Sequence, residues 1–71
     1  MQNRINVLVD GKVVGTVLAF SNFTGAEVKA QLEAGQGSAI RVKLLYDDVA
    51  HIEAATLDAA LGLPSFSPAT A

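Results

Sequence analysis

The sequence predicts a small α+β domain. The expected sheet has three strands, or four if one ambiguous segment is extended, in ββαβ order, with one packed helix and a C-terminal helix. Three observations lead there. Alternating apolar residues flank Asp10-Gly11, a capped helix start follows at Thr24, and residues 39–46 alternate cleanly between apolar and polar.

Ile5, Val7 and Val9 alternate with Arg4, Asn6 and Leu8, a period of two. Asp-Gly is a preferred pair for a type I′ hairpin turn, because both central residues need φ > 0. The second strand then runs from Lys12 to about Phe20. In a regular ladder from that turn, Val9 faces Lys12, Val7 faces Val14 and Ile5 faces Thr16. The expected core face is therefore Ile5, Val7, Val9, Val14, Thr16, Leu18 and Phe20.

Ser21 and Asn22 end the alternation. Thr24 with Glu27 three residues on is a capping box, and Phe23 and Val28 are spaced as a hydrophobic staple. The helix is expected from Gly25 to about Ala34, with Val28 and Leu32 as its apolar stripe. Lys29 and Glu33 are expected to point to water, and Gly35 sits where a left-handed cap belongs. Ala39 to Tyr46 reads as the third strand, with Ile40, Val42, Leu44 and Tyr46 on one face and Arg41, Lys43 and Leu45 on the other.

The segment after Tyr46 has two readings. Asp48 caps a helix from Val49 to Leu61, ended by Gly62, which the many Ala and Leu residues favour. Alternatively, Asp47-Asp48 turn the chain into a short strand of roughly Val49 to Glu53. Residues 1–63 are taken as one domain. Residues 64–71 hold two prolines and no charge, so they read as an extended or flexible tail, excluded from a sheet centre and dispensable for folding.

The pieces resemble ubiquitin-like β-grasp domains. Thr24, Val28, Lys29, Ala30 and Leu32 are similar to the opening of that family's helix. Lys43-Leu44-Leu45-Tyr46, a turn, and then Thr56-Leu57-Asp58 resemble its third strand and the short helix that follows. The resemblance covers about half the chain. It implies an open, truncated β-grasp-like sheet that binds proteins by its surface. The family's final strand is not matched after Leu63, and its terminal Gly-Gly is absent, so conjugation to targets is not implied.

With 71 residues the chain supports one small core. Hydrophobic residues make up 51% and charged residues 17%, which is too apolar for a disordered chain. A net charge of −2 argues against nucleic acid as the partner. With no Cys and one His, neither a disulfide scaffold nor a thiolate or multi-His metal site is expected. No apolar run approaches the roughly 18 residues of a membrane span, and no signal-peptide pattern opens the chain. A non-secreted protein is expected, cytoplasmic or virion-associated, with no membrane partner and no cofactor.

No nucleophile–base pair or phosphate-binding loop is present, so an enzyme is not expected. Asp47, Asp48, His51 and Glu53 form the one cluster of potential ligands, and a small metal- or ligand-binding protein is the rival reading. The leading signal is an apolar surplus. In the expected register Leu8, Val13, Val17 and Ala19 share the face away from the core, beside Gly15. Either the C-terminal helix covers them or a partner does. With Phe66 as an anchor from the tail, they form the candidate partner-binding set. The function expected is a non-catalytic interaction or assembly module, self-associating or docking on another protein, such as a virion-type structural subunit or a small inhibitor.

Overall fold

The computed structural model of the chain describes residues 4–19 and 22–69. Phe20, Ser21 and the last two tail residues, 70–71, lie outside them. The molecule is a small α+β domain with a five-stranded mixed sheet and two helices. The elements are β1 (Arg4–Val9), β2 (Lys12–Leu18), α1 (Gly25–Gln36), β3 (Ile40–Leu45), β4 (Asp48–Ala54), α2 (Leu57–Leu61) and β5 (Ser67–Pro68), and the sheet order is β3-β4-β1-β2-β5.

The β1–β2 turn forms as the Asp-Gly pair predicts. Asp10 (φ 52°) and Gly11 (φ 79°) both take positive φ. The register beyond it departs from a regular ladder. Leu8 pairs with Val13, but Val7 pairs with Gly15, so β2 carries one extra residue at Val14. A bulge of this kind reverses the side-chain parity of everything that follows. Val17 therefore lies opposite Ile5 on the core face and is fully buried, while Thr16 and Leu18 turn to the other face. The expected core membership of Thr16 and Leu18 is overturned, as is the expected outward position of Val17. Val9 and Val14 remain on the core side, packed against its margin.

Helix α1 starts as expected. Thr24 Oγ1 accepts from the Glu27 N–H (3.2 Å), and Glu27 Oε1 accepts from the Thr24 N–H (3.0 Å). Val28 is buried and Leu32 packs on the core. The helix runs past Gly35 to Gln36, and the residue that leaves the helical region with positive φ is Gly37 (φ 63°), two positions later than expected. A 3-10 turn, Gly37–Ala39, leads into β3.

The segment after Tyr46 is extended, so the long helix from Val49 to Leu61 does not form. Tyr46 turns at φ 58°, and β4 returns antiparallel to β3 and parallel to β1. Tertiary placement overrides the helix-forming tendency of its alanines. Ile52 fits between Val7 of β1 and Val42 of β3 with no exposed surface, and Ala54 is buried between Val9 and Ile40. Only the end of the expected helix forms, as α2. Thr56 Oγ1 caps it by accepting from the Ala59 N–H (3.1 Å). Ala60 and Leu63 then complete the core.

Residues 66–69 are not a free tail. β5 pairs antiparallel with β2, Gly15 opposite Pro68 and Thr16 opposite Ser67, and the Ala69 N–H donates to the Val14 carbonyl (2.9 Å). Proline is tolerated here because this is the sheet's edge. Phe66 packs against the core in the space left by the missing side chain of Gly15.

Both helices contribute to one core on one side of the sheet: Ala60 of α2 is a member, and Leu32 of α1 packs on it. No helix among the described residues is long and apolar enough to cross a membrane.

Candidate functional site

The C-terminal helix does not cover the second sheet face; it lies on the core side with α1. No described element packs over that second face. Its composition follows from the registers. Leu8 is flanked by Val13 on β2 and by Glu53 on β4, and Glu53 lies opposite Arg41 on β3. In the next row Asn6 faces Thr16, and His51 faces Lys43. Arg4 faces Leu18, and its guanidinium donates to Thr16 Oγ1 (3.3 Å). Leu45 ends the face at the β3–β4 turn and is 61% exposed.

The expected partner-binding residues are divided by this arrangement. Leu8 and Val13 lie on the open face, Val13 with 49% of its surface exposed. Val17 is in the core, and Ala19 packs against the core's margin. Phe66 is turned inward beside Gly15 rather than outward. Leu18 and Leu45 take the places assigned to Val17 and Ala19. The parity change at Val14 accounts for Leu18, and no local alternation in the sequence signals it. Leu45 was legible as the off-core partner of Arg41 and Lys43.

The charge on this face is opposite to that of the whole chain. Arg4, Arg41 and Lys43 lie on it, with Glu53 as the carboxylate among them. The remaining acids sit on the helices (Glu27, Glu33, Asp58), in the two hairpin turns (Asp10, Asp47) or at the first residue of β4, at the rim of the face opposite Leu45 (Asp48). Glu53 Oε2 lies 3.1 Å from His51 Nε2 and accepts a hydrogen bond from it in the tautomer that carries the proton there. That hydrogen bond is the largest effect and holds the Glu53 carboxyl below its usual range; burial opposes it, and the charges of Lys43 and Arg41 lower it further by smaller amounts. A chain with net charge −2 thus presents a cationic sheet surface with leucine and valine between its charges.

The Asp47–Glu53 cluster is spread out by the hairpin. His51 and Glu53 share the open face. Asp47 stands in the turn and uses its carbonyl to accept from the Gly25 N–H (2.8 Å), and Asp48 sits at the rim opposite Leu45. Among the described residues no group of three His, Asp or Glu side chains is close enough to hold a metal ion. The cleft at that end of the sheet is lined by Arg4, Phe23, Val28, Asp48 and neighbours, and among the described residues it contains no nucleophile paired with a base.

No protein-family model, no curated protein and no solved structure matches this chain.

Proposed function

We propose that the chain is a non-catalytic protein-interaction module that docks a partner carrying an acidic surface on its uncovered sheet face. The observation that carries this reading is the charge reversal. Arg4, Arg41 and Lys43 stand on a broad surface that no described element covers, with Glu53 among them and Asp48 at the rim, while the other five acidic residues are placed elsewhere. Leu8, Val13, Leu18 and Leu45 add apolar area between the cations, a composition suited to a docking surface that is both steered and partly desolvated. Packing two copies face to face would set these cations against one another, so a different chain is the occupant this surface fits. We read the fold as β-grasp-like; the hairpin, the following helix and a parallel strand beside β1 support that reading.

The test compares three forms of the chain as bait in its native extract: wild type, Arg4→Glu with Val13→Glu, and Asp58→Lys on α2 as a control. A partner kept by wild type and control but lost from the face variant is expected. A partner held equally by the face variant would overturn the proposal.

A further inference from the structure

β3 is the longer of the sheet's two edge strands, and one of its backbone donors is already occupied from within the chain. The Val42 N–H points away from β4 and donates to Glu33 Oε2 at 3.0 Å. The same oxygen accepts from Lys29 Nζ at 2.6 Å, an ion pair one helical turn apart on α1. Glu33 was expected to point to water; instead its carboxylate stands where the carbonyl of a further strand would stand. Exposed strand edges invite pairing with another chain, and covering their donors is one way proteins prevent it.

The surroundings of this donor decide what could replace the carboxylate. The groove between α1 and β3 is lined by Lys29, Glu33, Arg41, Val42, Lys43 and Leu44. Apart from Glu33 its charges are all positive. A second copy pairing antiparallel about Val42 would place Arg41 directly opposite Lys43 of that copy, a like-charge pair that destabilises the ladder. An extended segment with carboxylates at alternate positions meets Arg41 and Lys43 instead. Its intervening side chains turn into the groove toward Val42 and Leu44.

We infer that the β3 edge accepts an extended acidic peptide as an added strand, with Glu33 as the internal group that must be displaced from the Val42 N–H. This rests on reading the chain as an interaction module, but it concerns the edge and not the sheet face. In this mode the backbone hydrogen bonds supply affinity and the alternate side chains supply selectivity.

The test is an NMR titration of the full chain with a short synthetic peptide alternating glutamate with valine, and with its lysine–valine counterpart as control. The expected result is a shift of the Val42 amide together with those of Arg41 and Lys43, with no binding of the lysine peptide. Glu33→Ala removes the competitor and should bind the glutamate peptide at least about fivefold more tightly, the equivalent of one ordinary hydrogen bond. Arg41→Glu with Lys43→Glu, both at exposed positions, should abolish binding while the spectrum stays folded. Failure of folded Glu33→Ala to bind the glutamate peptide overturns the inference. So does binding that moves Asn6 and Thr16 but leaves Val42 unchanged, a result that would leave the face-docking proposal standing.

Discussion

Val13 and Val17 provide the sharpest test of the β2 register, because chemically identical substitutions there should differ widely in cost. Truncation to alanine removes two methyl groups from each. At about 0.8 kcal/mol per buried carbon, the transfer loss at Val17 is about 1.6 kcal/mol. Val17 has no exposed surface and is packed in the core with Ile5, Val7 and Ile52, so an unrelaxed cavity adds to this. The total is about 2–3 kcal/mol. A domain of 71 residues holds roughly 4–10 kcal/mol in all, so this is a large fraction of its stability. At roughly 4–8 °C per kcal/mol, the melting temperature should fall by about 10–20 °C. Val13, half exposed on the open face, should lose no more than about 0.5 kcal/mol. Urea melts of both variants, with unchanged slopes, measure the difference. Equal costs, or a larger cost at Val13, would mean that β2 has no extra residue at Val14 and that the two valines share a face.

Further outcomes follow from the same structure. Gly15→Ala would place a Cβ 2.5 and 2.6 Å from Phe66 ring atoms and closer still to the Ser67 carbonyl oxygen, so β5 must detach. Faster hydrogen exchange at the Ala69 amide checks this, and a chain ending at Leu63 should melt lower than the full chain rather than unchanged. Thr24→Ala removes the hydroxyl that accepts from the Glu27 N–H, leaving the backbone half of the α1 cap, and should cost about 0.5–2 kcal/mol by denaturant midpoint. The Glu27, Glu33 and Glu53 carboxyls are all held below their usual 4.5, chiefly by the Thr24 backbone N–H, by Lys29 and by His51 respectively. Their contribution is complete above that value and is lost as pH falls through the lowered folded-state values. Melting temperature should therefore decline on acidification below about pH 4.5, and Glu33→Gln should decline less steeply than wild type.

The local chemistry of the chain was legible where a short motif fixes a backbone shape by itself. Asp10-Gly11 sets the first turn, and Thr24 with Glu27 sets the start of α1. The β4 segment was not, because Ala50 and Ala54 favour a helix locally. What holds them extended is Ile52 between Val7 and Val42, a pairing with residues distant in sequence. The open face was misassigned for a related reason. Alternation carries side-chain parity forward only while the ladder is regular, and one extra residue at Val14 exchanged Val17 for Leu18. Pro68 correctly signalled exclusion from the sheet centre, yet an edge position was open to it. The role of Glu33 was hidden because a carboxylate beside Lys29 on a helix looks like a solvent-facing ion pair until the β3 edge is placed next to it.

The central claim, that the uncovered sheet face is where this protein meets its partner, is tested most directly by photo-crosslinking from within the face. A benzoylphenylalanine placed at Thr16 should give discrete protein adducts in cells. The same group at the exposed helix position Gln31 should give none, and adding Arg4→Glu should reduce the yield at Thr16. Adducts formed equally from Gln31, or adducts at Thr16 indifferent to the loss of Arg4, would contradict it.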